Sequence, residues 1–139
     1  MKHLFVLAAA ILISGCATSP TPTASARPVP AGRILAPEYF QSRSAQDVEV
    51  LVKRDSGLTG IANFTLLKVD GNPVAKLAAG EIARLYLPPG RHLLGAVPTV
   101  DPLRANSIIE TEAHVSKDSP QLYRIYTAGG IIQIAPTSY

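Results

Sequence analysis

The sequence predicts an all-β protein, a small antiparallel β-sandwich of about seven to nine short strands spanning Arg33 to Tyr139. Three observations carry that prediction. Apolar residues fall on every second position through most of the span, the period of a strand with one covered face. Gly, Pro, Asp and Asn interrupt the pattern at short intervals, as tight turns require. Almost no stretch repeats at the helical spacing of three and four. A chain of 139 residues suits one domain. Its single cysteine excludes an internal disulfide. The charge of +3 comes without a basic block, which weighs against a nucleic-acid partner.

The elements follow in order. Ile34-Leu35-Ala36 reads as a short first strand ended by Pro37, and Glu38 to Gln46 is ambiguous, with a helical turn allowed. Val48, Val50 and Val52 alternate with Glu49, Leu51 and Lys53, a strand with valine on its inner face. Asp55-Ser56-Gly57 turns the chain, and Ile61 to Val69 is the next strand, with both faces partly apolar. Asp70-Gly71 is a strong hairpin signal, because glycine accepts the positive φ of a tight turn. Val74 to Leu77 returns as a short strand, and Pro73 places it at its start or on an edge. Ala79-Gly80 turns again, and Ala83, Leu85 and Leu87 alternate with Ile82, Arg84 and Tyr86. Pro88-Pro89-Gly90 is a rigid turn. His92 to Val97 is a strand, and Val100 to Asn106 a loop broken by Pro102. In Ser107 to Ser116, Ile109, Thr111, Ala113 and Val115 face one way and Glu110, Glu112 and His114 the other. Lys117 to Pro120 turns, and Gln121 to Thr127 pairs with Ile131 to Ile134 across Ala128-Gly129-Gly130.

The first 32 residues have a different character. Lys2 and His3 precede an apolar run from Leu4 to Ile13, then small residues and Cys16, the layout of a secretory signal over residues 1–15. Ten to twelve helical residues reach roughly 15–18 Å, too short for a hydrocarbon core of ~30 Å. Residues 16–32, with Pro, Ser and Thr dominant and one charge at Arg27, read as a disordered linker. Extended, it reaches up to ~50 Å.

Ile13-Ser14-Gly15-Cys16 resembles the lipobox of bacterial lipoproteins. The resemblance implies diacylglyceryl transfer to the Cys16 thiol, cleavage before Cys16 and acylation of the new amino group. A thiolate is the natural nucleophile for such a step, and several acyl chains anchor stably where one does not. Ala17 and Thr18, in place of Asp, look like the outer-membrane sorting signal of enterobacterial lipoproteins, which implies the inner leaflet of the outer membrane, facing the periplasm.

A second resemblance covers roughly Val48 to Ile134. Val69-Asp70-Gly71, Val74, Leu77, Gly80 and Pro88-Pro89-Gly90-x-His92 look like the pattern of small envelope lipoproteins related to PEGA-type β-sandwich modules, with Ile82 where that family has an aromatic. It implies a sandwich with Asp70, Gly71, Pro88, Pro89 and Gly90 as structural turns, and no assigned catalytic site.

Few residues point to chemistry. Glu110, Glu112 and His114 share one strand face, and His92 could join them from another strand to hold a metal or act as acid and base. That is the basis of an alternative reading, a small periplasmic metal-binding protein or hydrolase. A solvated polar face or a partner-binding face explains the same spacing. Arg84, Tyr86, Arg91, Tyr123, Arg124 and Tyr126 are of the types enriched at interfaces, while tyrosine in a sandwich also plugs the core rim. No phosphate-binding loop and no nucleophile elbow is present. The sequence therefore leads to a lipid-anchored envelope module that is not an enzyme and needs no cofactor or metal. Its expected partners are the membrane, through Cys16, and an envelope protein; Glu110, Glu112, His114, Arg84, Tyr86 and Arg124 are the candidate contact residues. Nucleic acid and a small-molecule substrate are not expected.

Overall fold

Alternate residues along the strands are buried, and what they cover is a common core between two sheets. The computed structural model describes residues 18–57, 63–99 and 108–138. Among them the strands are β1 (Arg27–Pro28), β2 (Val48–Arg54), β3 (Thr65–Val69), β4 (Asn72–Leu77), β5 (Glu81–Leu87), β6 (Gly90–Pro98), β7 (Ile109–Val115), β8 (Leu122–Ala128) and β9 (Ile131–Pro136). They form a five-stranded sheet in the order β1-β5-β2-β8-β9 and a four-stranded sheet in the order β4-β3-β6-β7. The two pack as a β-sandwich. Val50 and Val52, Leu67 and Val69, Val74 and Leu77, Ala83 and Leu85, Leu94 and Ala96, and Ala113 are all fully buried in one cluster. The valines of β2 take the inner face, as their spacing predicts. On β7, Ala113 and Val115 are buried, while Glu110, Glu112 and His114 are exposed.

Two pairings depart from an antiparallel sandwich: β1 lies parallel to β5, and β8 parallel to β2. The cause is where the chain changes sheet. After β7 it crosses over through Ser116 to Gln121 at the end where β2 also begins, so β8 runs alongside β2 in the same direction. The turns Asp70-Gly71 and Pro88-Pro89 lie at this end too. At the opposite end Thr18, Arg54, Thr65, Thr127 and Ile132 border one small recess.

The largest correction concerns the segment expected to hang free. Thr18 to Gly32 is docked on the sandwich. Ser19 bridges Ser56, Thr21 is buried, and a 3-10 turn at Thr23–Ser25 leads into β1 along the edge of β5. The Val29 side chain is buried, and its amide donates to Ile82 O at 3.2 Å. The folded unit thus takes in Thr18 onward rather than starting at Arg33. Composition read the segment as unable to bury its own surface; here it borrows the surface of β2 and β5.

Ile34-Leu35-Ala36 is likewise no strand of its own. Ile34 makes a single bridge to Ala75, and the Leu35 amide donates to Val74 O at 2.9 Å, which lays the chain against the edge of β4. A 3-10 turn at Pro37–Phe40 follows, the helical turn that the sequence left open. On β3, Thr65, Leu67 and Val69 face inward, while Phe64 is exposed and Leu66 half-buried, so only one face is fully covered. The signal, Cys16, Ile61 and the loop Val100 to Asn106 fall outside the described residues.

Candidate functional site

The dock of the N-terminal segment is a polar seam built from the outward side of β2. Lys53 alternates away from the valine core, so the sequence marks it as a solvent-facing residue. It is instead 0% exposed, because Thr21 lies across it. The Lys53 ammonium donates to Thr21 O at 2.6 Å, the Thr21 amide donates to Asp55 Oδ1 at 3.3 Å, and the Ser56 amide donates to Thr21 Oγ1 at 2.9 Å. Arg124, directly opposite Lys53 on β8, is ion-paired with Asp55, whose side chain is fully buried. The Arg124 guanidinium also stacks 4.3 Å from the centre of the Tyr126 ring. Burial pushes the Lys53 ammonium below its ordinary pKa; the Asp55 charge works against that and the Arg124 charge with it. Lys53, Asp55 and Thr21 escape sequence reasoning because nothing local distinguishes a strapped lysine from a solvated one.

A second polar cluster stands at the opposite end. Asp70 adopts a positive φ of 49°, the left-handed conformation that Asp tolerates better than most residues. Its Oδ1 accepts from the Leu93 amide at 2.8 Å, and its Oδ2 lies 2.7 Å from His92 Nδ1. His92 Nε2 is 2.9 Å from Pro88 O. The residues of the Val-Asp-Gly and Pro-Pro-Gly-x-His patterns therefore clasp the β3–β4 hairpin turn to the Pro88–Pro89 connection between the two sheets, with Asp70 and His92 as the joining pair. Burial alone would raise the Asp70 carboxyl pKa, but the His92 hydrogen bond, the Leu93 amide and the His92 charge bring it below its usual value. At Glu81 burial is likewise outweighed, by hydrogen bonds from Arg33 and the Ala78 amide and by the charges of Arg33 and Arg27.

Both carboxyls have folded-state pKa values below their unfolded ones. Their stabilisation is complete above the unfolded values of about 4 and is lost as pH falls through the folded ones. The expected result is a midpoint of urea unfolding that is steady from pH 5 to 7 and falls below pH 4. A midpoint that holds down to pH 2.5 would contradict this account.

The candidate contact residues do not converge. Glu110, Glu112 and His114 lie on the outer face of the four-stranded sheet, where Glu112 takes Arg91 at 2.5 Å and His114 Nε2 at 2.7 Å. Arg84 and Tyr86 lie on the outer face of the other sheet, around Glu49, and Arg124 is committed to Asp55. Two separate faces replace the single Arg/Tyr surface. His92 is held at the turn clasp by Asp70 and Pro88 instead of joining Glu112 and His114. Among the described residues no three His, Cys, Asp or Glu side chains are grouped so as to hold a metal ion. Tyr123 follows the rim-plug reading: it is buried, its hydroxyl meets Gln121 Oε1 at 3.4 Å, and burial raises its pKa. Arg124, Tyr126, Ala135 and Pro136 border a shallow, open depression. Among the described residues no helix is long and apolar enough to cross a membrane. No family model matches the chain, and comparison with curated proteins and with solved structures gives no match.

Proposed function

We propose that this chain is a cell-envelope lipoprotein, held by acyl chains on Cys16 to the inner leaflet of the outer membrane and facing the periplasm. In this reading its sandwich is a non-catalytic structural or protein-binding module. The observation that carries the proposal is the ordered sequence of positive residues, apolar run and Ile13-Ser14-Gly15-Cys16. Two features add support. The polar clusters are spent internally: Lys53, Asp55 and Arg124 hold the N-terminal segment, and Asp70 and His92 clasp turns. The first described residue, Thr18, is fastened to the sandwich directly after the proposed lipidation site, with Thr127 donating its amide to Thr18 Oγ1 at 3.3 Å.

The test is metabolic labelling with radioactive palmitate and fractionation of wild type and Cys16→Ser. Wild type is expected to take up label and pellet with membranes, whereas the variant takes up none and shifts to the soluble fraction. An unlabelled wild type, or a variant that pellets unchanged, overturns the proposal.

A further inference from the structure

We infer that the Thr18 end of the sandwich rests directly on the lipid surface, with Phe64, Ile108 and Ile131 in contact with the bilayer; this inference builds on the lipidation of Cys16 proposed above. The argument starts from reach. Cys16 precedes Thr18 by two residues, which span at most ~7 Å. Thr18 itself is tied down by Thr127 and by its neighbour Ser19, whose amide donates to Ser56 O at 2.6 Å. A free linker would let the domain float up to ~50 Å away; a docked one leaves no such slack. Only the end that carries Thr18 can face the membrane.

That end has the composition of a membrane interface. The outer face of the four-stranded sheet is graded along its strands. Phe64 stands opposite Thr99, whose amide donates to Phe64 O, and in the next row Leu66 pairs with Val97. Ile108 precedes Ile109, the partner of Ala96, and so extends this row onto β7. One step further from Thr18 charged residues predominate: Lys68 and Glu110 flank Gly95, and Asp70, Arg91, Glu112 and His114 follow around the exposed Leu93. On the other sheet Ile131 sits at the tip of the β8–β9 hairpin, beside Thr127. Phe64, Ile108 and Ile131 are 40%, 44% and 49% exposed. Cations border them. Lys76 is exposed opposite Leu66, Arg27 is exposed beside Ala79, and Arg33 lies 4.7 Å from the centre of the Phe64 ring. Of the carboxylates near this end, Asp55 and Glu81 are buried against Arg124 and Arg33, and Glu110 is exposed beside Ile108 and Lys68. Exposed apolar side chains ringed by Lys and Arg suit the boundary between acyl chains and anionic headgroups.

The full-length protein supplies its own test. Once Cys16 is a thioether, an introduced cysteine is the sole free thiol. Ile131→Cys, Phe64→Cys and, at the opposite end, Asp118→Cys are labelled with an environment-sensitive fluorophore. The labelled proteins are then placed in phosphatidylethanolamine–phosphatidylglycerol vesicles containing nitroxide-labelled lipid. The dyes at 131 and 64 are expected to shift to the blue and be quenched several-fold more strongly than the dye at 118. If palmitate is incorporated but all three sites quench alike, the orientation is wrong while the lipoprotein reading stands. A blue shift at 131 and 64 that ignores the lipid quencher points to a second copy on this surface and also overturns the inference. If palmitate is not incorporated, both fall.

Discussion

Asp55→Ala is expected to lower the free energy of unfolding by about 3–5 kcal/mol, the range for removing one partner from a buried ion pair. In a domain of this size that corresponds to a fall in Tm of roughly 10–20 °C. Asp55 is the carboxylate set beside two cations, Lys53 and Arg124, beneath the N-terminal segment. Without it the buried Lys53 ammonium and the largely covered Arg124 guanidinium repel with little water to screen them. Its loss also takes the acceptor from the Thr21 amide. Two measurements separate these contributions. Asp55→Asn keeps an acceptor for Thr21 but not the charge, and Lys53→Met added to it should restore part of the stability by deleting one of the opposed cations. Amide exchange at Ser19 and Val29 should quicken in Asp55→Ala, because these amides fasten the segment to Ser56, just after β2, and to Ile82 of β5. A cost below 1 kcal/mol would show that the seam does not hold charge in the way described.

Asp70→Ala is expected to cost about 2–3 kcal/mol. Alanine at a left-handed φ is disfavoured by roughly 1 kcal/mol, and a hydrogen bond to a charged group contributes about 1.5–3 kcal/mol where it is sheltered. The Asp70 side chain is 45% exposed, so the lower part of that range applies. Asp70→Asn keeps the conformation and the acceptor for the Leu93 amide, and should cost only about 1 kcal/mol. Urea unfolding of the three proteins at pH 7 gives the ranking. As pH falls through the lowered Asp70 pKa, wild type and Asp70→Asn should converge, since protonation removes the charge that separates them. Equal stability of wild type and Asp70→Ala at pH 7 would mean that the clasp between the turns contributes nothing.

Much of the fold was readable because it is written locally. Val48, Val50 and Val52 announce a buried face by spacing alone, as do Ala113 and Val115, and Asp70-Gly71 and Pro88-Pro89-Gly90 announce turns by their backbone preferences. What spacing cannot encode is which distant groups meet. Asp70 reads as a turn residue and His92 as the start of a strand that could join Glu112 and His114, yet Asp70 and His92 are 2.7 Å apart. Lys53 carries the pattern of a solvated residue and is covered by a segment 32 positions away. The parallel pairing of β8 with β2 follows from where the chain changes sheets, which no window of sequence contains. The segment from Thr18 to Gly32 reads as a free linker for a related reason: its composition cannot bury a surface of its own, and that is a different property from being unable to dock on another. Proline is tolerated at the rim of a sheet, where its missing N–H has nothing to bond.

That last point reaches beyond the monomer. Each sheet of a sandwich has two lateral rims at which a further strand could be added. Here one chain segment closes one rim of each: Arg27 and Pro28 lie along β5, and Ile34 and Leu35 along β4. Pro28 and Pro30 leave that side poor in donors. Among the described residues β9 and β7 keep an open flank. Polymerisation by strand addition needs two reactive flanks per subunit, one to receive and one to offer. With the β5 and β4 rims covered, the flanks left among the described residues, β7 and β9, lie side by side, so strand addition is confined to one side of the sandwich.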